Sequence, residues 1–381
     1  MDKVRGLIQH ARARHGARAA GIRGARVPYH RRGEMSIPAF RNPPGGDPET
    51  DGRAASLRMM GKAAKLPVDF FFFDLEDAAP DDPQYKPLAR RFCVEALTSH
   101  DFGSRVRAFR PNNLRTPWFE DDVVDVVGAA GDRLDALVLP KTETFEEVAD
   151  VQAILRAVQK AAGRGAPEQR LSIEVLIESP GAFVDAERIA SLPDVSALIF
   201  GAWDFARTLG AEVAADRWLA DQAMARQTLP ILAAAHGKDA VDAVTATLPI
   251  RPRDPGDAAA GERHAQALEL ARRDALDARR IGFAAKWILH PDQIEPIQGA
   301  FTPSRDQALA ALDLAARYAR AAAAGSGAEL DGDRLADKAV VGTQWWRVEA
   351  GRRAGVIDDG DVAATGVPWP DLQRAARTAD R

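Results

Sequence analysis

The chain has 381 residues, a formal net charge of −4 from 51 Lys and Arg against 55 Asp and Glu, and a single cysteine, Cys93. Charge this balanced, spread along the chain, points away from nucleic acid and from an anionic membrane surface, and one cysteine excludes an intrachain disulfide framework and fits a reducing cytoplasm. No apolar run approaches the roughly 20 residues of a transmembrane helix, and the length allows one large α/β domain of about 250–300 residues with extensions.

Residues 1–34 are rich in Arg, poor in acids and lack an apolar core, the composition of a basic arm or of a transit peptide. Eight apolar runs follow: MSIPA (35–39), FFFFD (70–74), RVRAF (105–109), ALVLP (136–140), IEVLI (173–177), ALIFG (197–201), AVDAV (240–244) and KWILH (286–290). Near-continuous apolar runs flanked by polar helical segments read as strands of a parallel sheet buried on both faces. Eight of them close a (β/α)8 TIM barrel. The clearest intervening helix is 144–161, with Thr144 and Glu147 in a capping-box pattern and Phe145, Val148, Val151, Leu155 and Val158 at helical spacing. Two Pro/Gly/Asp-rich stretches, 42–52 and 251–262, are expected as loops on the ligand-binding face. A last long helix is expected from about Arg305 to Ala324, ending at Gly325. The tail beyond it carries Trp345, Trp346 and Trp369 with few other apolar residues, and is expected to pack on the barrel or on a neighbouring subunit. The expected division is therefore 1–34 arm, 35–304 barrel and 305–381 C-terminal helical extension.

Charged residues close five of the runs: Asp74, Glu76 and Asp77, then Arg110, Lys141, Glu178 and Asp204. In parallel α/β proteins ligands sit at the carboxyl ends of the strands, so these residues are expected at one mouth. Glu178 and Asp204, one βα unit apart, suit Mg²⁺, a hard cation content with one or two carboxylates; alternatively each acid caps the helix after its strand. Arg110, with its permanent charge and forked donors, can stabilise a developing enolate or oxyanion, and a salt bridge to the DLED segment is compatible with that role. Three acids so close in sequence cannot all ionise unpaired, which requires Arg110, Lys141 or metal-bound water as partners. His290 before Pro291 reads as a satisfied structural donor ahead of a ligand or base.

The ordered segments FDLEDA (73–78), RPNNLRTPW (110–118), GDRLD with LPK (131–141), IEVLIES (173–179), GAWDFA (201–206), GKDAVD (237–242), KWILHPDQ (286–293) and FTPS (301–304) resemble the citrate-lyase β-subunit/HpcH-HpaI aldolase superfamily, most of all its malyl-CoA and β-methylmalyl-CoA lyases. The resemblance spans about 35–340. It implies a Mg²⁺-dependent TIM-barrel carbon–carbon lyase, Mn²⁺ serving as an alternative metal, that acts on a CoA thioester and a glyoxylate-like 2-oxo acid. It further implies Glu178 and Asp204 as metal ligands, and Arg110 as the residue that polarises the thioester carbonyl. Glu76 and Asp77 become an acidic pair around metal waters and Arg110, while Lys141 and Pro291 help bind substrate. Asp337, in DRLAD (333–337), becomes an acid/base reaching over the site of the adjacent subunit in a cytoplasmic homotrimer or homohexamer.

Three features depart from those relatives: the insertion after the first strand, IPAFRNPPGGDPETDG, the turn after Asp242, and the Trp-containing tail. The first two bear on CoA use and acyl specificity. Two other functions stay open on the sequence: a metal-dependent aldolase using a free 2-oxo acid, and a non-catalytic barrel subunit.

Overall fold

The computed structural model describes residues 31–211 and 222–376, so most of the expected basic arm lies outside the described residues. The chain divides between Gln298 and Gly299 into two compact units.

In the first unit eight strands close a parallel barrel in chain order: β1 (Gly33–Pro38), β2 (Phe70–Asp74), β3 (Val106–Arg110), β4 (Ala136–Leu139), β5 (Ser172–Ile177), β6 (Val195–Phe200), β7 (Asp239–Asp242) and β8 (Ala285–Ile288). All eight expected strands are present, joined through flanking helices. Side chains alternate along a strand, so every second residue points into the lumen. Phe70, Phe72, Ala108, Val138, Leu176, Ile199, Val241 and Trp287 belong to the buried cluster formed in this way.

The register places Glu34 beside Phe70, and Glu174 beside Ala197. These two acids are therefore in the inward series near the amino ends of their strands. Arg31 meets them there, pairing with Glu34 at 2.8 Å, Glu174 at 2.7 Å and Asp239 at 3.3 Å. Burial, reinforced by Glu174, pushes the Glu34 carboxyl well above the usual range. The guanidinium offsets part of the cost of enclosing so many acids. Arg32 in turn holds Asp69 through two hydrogen bonds of 2.7 Å. Residues 31–34 are thus part of the barrel floor rather than of an arm.

The two stretches expected as loops are partly helical. Pro48–Gly52 forms a helical turn in which Asp47 accepts from the Thr50 amide at 2.9 Å. Residues 258–262 open the long helix Ala258–Arg280, capped by Asp257 through the Ala260 amide at 2.9 Å. In both, an Asp that satisfies an orphan amide starts a helix within a loop-like composition. The helix Phe145–Ala161 forms as expected, buries Val148, Val151 and Leu155, and is capped by Thr144. Only half of its capping box exists, because the Glu147 carboxylate accepts from the Glu143 amide at 2.7 Å.

The second unit contains the helix Arg305–Ala323, a hairpin of β9 (Ala328–Asp331) and β10 (Arg334–Asp337), and the helices Lys338–Arg353, Asp359–Ala364 and Trp369–Ala376. Leu312, Tyr318, Val341, Trp345, Val348 and Leu372 share one buried core, and the Trp345 and Trp369 rings lie 5.2 Å apart. The tail shares this core with the helix Arg305–Ala323 that precedes it. Leu330, Leu335 and Val340 of this unit stay exposed. No helix among the described residues is long and apolar enough to cross a membrane.

Candidate active site

One more step along the inward series brings Asp74, Arg110 and Glu178 to the carboxyl-end mouth. Asp74 and Arg110 are register neighbours on β2 and β3. The Arg110 Nε donates to Asp74 Oδ1 at 2.7 Å and its Nη2 to Oδ2 at 2.5 Å. Its Nη1 faces Glu76 Oε2 at 3.3 Å and Asp77 Oδ2 at 3.6 Å. The rings of Phe72 and Trp287 lie 5.9 and 5.5 Å from the guanidinium carbon. Asp74, Glu76 and Arg110 are at most 5% exposed, so this charge is held by partners and not by water.

Lys141 is the only non-glycine residue among those described with a positive φ, 51°. Such a backbone costs on the order of 1–3 kcal/mol and persists where several contacts enforce it. Here the Lys141 amide donates to Glu178 Oε1 at 2.5 Å, and its carbonyl accepts from Arg115 Nη2 at 2.6 Å. Its ammonium donates to Asp77 Oδ1 at 2.8 Å and also to Glu76. One strained residue thereby ties together the segments following β2, β3 and β5. Lys86, itself buried, donates to the carbonyls of Leu75 and Glu76 at 3.0 and 2.7 Å and fixes the turn that carries the acidic pair.

Asp204 lies in the first turn of the helix Ala202–Leu209, where Arg207 donates to its Oδ1 at 3.1 and 2.5 Å. Between the two expected metal ligands sits Gly201, where any side chain would run into that of Glu178.

Burial raises the Glu178 carboxyl to about 7; the Lys141 amide and Arg110 oppose the rise, while Asp204 and Glu76 add to it. Burial also lifts Glu76 against the pull of Arg110 and Lys141. For the more open Asp77 burial acts in the same sense, yet Arg110 and Lys141 prevail and hold it below the usual range. Adjacent carboxylates thus differ in proton affinity because one is enclosed and the other reaches water.

Among the described residues no three His, Cys, Asp or Glu side chains gather as a metal-binding group. A cation at this mouth would therefore rely on Glu178 and Asp204 and complete its shell from water and substrate oxygens, as Mg²⁺ does. The donor set fits: both are hard oxygens, and a buried acid raised in part by its neighbour's charge gains from a shared cation.

Of the residues singled out in the sequence, Arg110, Glu76, Asp77, Lys141 and Glu178 are joined with Asp74 in one network, and Asp204 lies within electrostatic reach of Glu178. Pro291 opens the short helix Pro291–Gln293 after β8. His290 caps it with Nδ1 accepting from the Asp292 amide at 3.2 Å, a structural role, but as acceptor where a donor is expected. Asp337 belongs to the second unit, where it accepts from the Val340 amide at 2.9 Å and caps the helix Lys338–Arg353. Sequence reasoning passed over Arg207, Arg115, Lys86 and Gly201. Only Arg207 carried a readable signal, its i,i+3 spacing from Asp204 on a helix.

A cleft of about 600 Å³ at the opposite, amino-terminal end of the barrel is lined by Arg32, Asp69, Arg105, Arg107 and Asp135. Its Arg107 is paired with Asp135 at 2.9 Å and its Arg32 with Asp69 at 2.7 Å. Arg110, Lys141, Glu76, Asp77 and Glu178 converge instead at the carboxyl ends of the strands, which makes the mouth the candidate site.

The family model for HpcH/HpaI aldolase/citrate lyase matches residues 53–254, more than half of the chain. An L-malyl-CoA/β-methylmalyl-CoA lyase of Cereibacter sphaeroides is 34% identical over 307 residues, covering 76% of this chain and 89% of the relative. Among solved structures, a citrate lyase from Burkholderia xenovorans superposes with a TM-score of 0.64 at 21% identity, covering 88% of this chain and 96% of that one. CitE from Mycobacterium tuberculosis, solved with magnesium, acetoacetate and coenzyme A, gives 0.55 at 24% identity, covering 84% and 98%. Both structures share the fold. With the barrel, the mouth and the matched segment in agreement, the chain belongs to the HpcH/HpaI aldolase/citrate lyase family.

Proposed function

We propose that this protein is a Mg²⁺-dependent carbon–carbon lyase that cleaves, or in reverse forms, a β-hydroxyacyl-CoA thioester such as malyl-CoA, with glyoxylate and acetyl-CoA as the other side of the equilibrium. The observation that carries this reading is the meeting of a buried, fully ionised guanidinium and a buried carboxylate, Arg110 and Glu178, at one barrel mouth.

Cleavage requires the substrate hydroxyl to pass its proton to water at the mouth as the C–C bond breaks, and one proton returns at carbon, so the proton count is unchanged. The bonding electrons then move toward the thioester and produce an enolate, which takes up a proton at carbon to give acetyl-CoA. Glu178 and Asp204 would hold the cation, which when bound makes the hydroxyl more acidic and orients the 2-oxo acid. Arg110 offers Nη1 to the thioester oxygen as negative charge develops there. Phe72 and Trp287 beside the guanidinium keep water from competing for it. Glu76 and Asp77, pinned by Lys141, flank Arg110 at Nη1. The proton at carbon is assigned to Asp337 of a neighbouring copy in a homotrimer or homohexamer.

The decisive assay follows glyoxylate release from malyl-CoA with Mg²⁺, Mn²⁺ or chelator, with pyruvate plus aldehydes as the competing substrate pair. Turnover of malyl-CoA that disappears in chelator and in Asp204→Asn is expected. Turnover of free 2-oxo acids alone would replace this reading with the aldolase one, and full activity in chelator would remove the metal from it.

A further inference from the structure

We infer that Asp74 is a positioning residue that makes Arg110 a one-edged donor, so that substrate oxygen is reached only through the Nη1–Nη2 end. The inference rests on the proposed lyase reading for what the oxygen is, and on geometry alone for how the guanidinium is held.

A guanidinium has five N–H donors in a rigid plane and can present any of three edges. In this mouth Asp74 takes the Nε–Nη2 edge with both oxygens, at 2.7 and 2.5 Å. The pair is built into the sheet, because Asp74 and Arg110 are register neighbours at the last positions of β2 and β3. Asp74 cannot easily turn away, since its Oδ1 also accepts from the Glu76 amide at 3.0 Å. The guanidinium carbon also lies over the rings of Phe72 and Trp287, within 6 Å of each centroid. What remains is the Nη1–Nη2 end, with the second Nη2 hydrogen and Nη1, which stands 3.3 Å from Glu76 and 3.6 Å from Asp77, longer and looser than the Asp74 bonds. The strong partner holds and the weak partners yield: a carbonyl oxygen can enter at Nη1 without breaking the bidentate pair.

Asp74 therefore acts through Arg110 and is not expected to touch substrate. Its value is preorganisation, because a donor already aimed at the place where charge develops needs no reorganisation in the transition state. This predicts a loss in kcat rather than in KM when the clamp is loosened.

The test compares Asp74→Asn, Asp74→Glu and Arg110→Lys, singly and combined, by kcat and KM for malyl-CoA, together with crystal structures of the two Asp74 variants. Asp74→Asn keeps the shape and loses the charge; Asp74→Glu keeps the charge and displaces it by one methylene. Each is expected to lower kcat about 10-fold or more, with KM within about threefold, and to show Arg110 rotated off its wild-type edge. Adding Asp74→Asn to Arg110→Lys is expected to change kcat less than twofold, because the fork it acts through is already gone. The inference is overturned if Asp74→Glu is folded with wild-type kcat, or if Arg110 keeps its orientation in both structures. It is also overturned if the two substitutions multiply in full, the mark of a general structural role. Should Asp74→Asn fail to fold, Asp74→Glu decides. If wild-type protein does not cleave malyl-CoA, the reaction reading fails by itself, and the orientation of Arg110 in the variant structures still decides the clamp.

Discussion

Replacing Glu178 with Gln should stabilise the metal-free protein at high pH and not at low pH. Glu178 is 5% exposed, and its carboxyl is raised from the ordinary 4.5 to about 7, chiefly by burial. Between those values the unfolded chain has released a proton that the folded chain retains, so stability falls as pH rises through that window. Above about 7 the folded protein carries the full cost of an ionised Glu178. At about 1.4 kcal/mol per pH unit, the distance from 4.5 to 7 corresponds to roughly 3 kcal/mol. Gln does not titrate, and its amide oxygen can still accept from the Lys141 amide, so the variant escapes this cost while keeping the hydrogen bond. Denaturant melts of both proteins in chelator, at pH 5 and pH 8, measure the difference directly. The variant should match wild type at pH 5 within about 1 kcal/mol and exceed it by about 2–3 kcal/mol at pH 8. Adding Mg²⁺ at pH 8 should raise the stability of wild type and leave Glu178→Gln unchanged, because only the carboxylate gains from the cation. Parallel pH profiles for the two proteins in chelator would refute the claim that burial strains this acid.

Arg110→Lys should lower kcat by roughly 10²-fold with a smaller change in KM, since an ammonium cannot pair with Asp74 along one edge and donate from another; steady-state kinetics decide it, and a change confined to KM would make Arg110 a ground-state binding group. If Asp337 serves the site of a neighbouring copy, mixing inactive Asp337→Ala and Arg110→Ala chains should restore part of the activity, and a failure to complement despite proven subunit exchange would exclude the shared site. Asp242→Ala should cost about 3–5 kcal/mol in chemical denaturation, because it strands the buried cations Arg226 and Lys286, now held at 2.8 and 2.9 Å; a loss below 1 kcal/mol would mean that water or other groups replace it.

The strand count was legible because burial on both faces leaves a local mark: FFFFD and ALIFG are apolar at nearly every position, and only a strand between two layers needs that. The residues of the mouth were legible for a related reason, since a charge that ends a buried strand stands out against the run before it. Glu178, Asp204 and Arg110 could therefore be named, and the direction of the chain placed them at one end of the barrel. Arg31 and Glu34 were missed because their partners, Glu174 and Asp239, are far away in sequence, and a lone Arg after a basic stretch looks like surface. The core of the tail was illegible for the opposite reason: it is shared with the helix Arg305–Ala323, and apolar residues look sparse only when the two are counted apart. Which acid pairs with Arg110, which carboxyl is raised, and why Lys141 adopts a left-handed backbone depend on register between strands and on exclusion of water. Local sequence determines which residues stand at the mouth; only the closed barrel decides which of them touch, because contact and burial are properties of neighbours that the chain brings together from a distance.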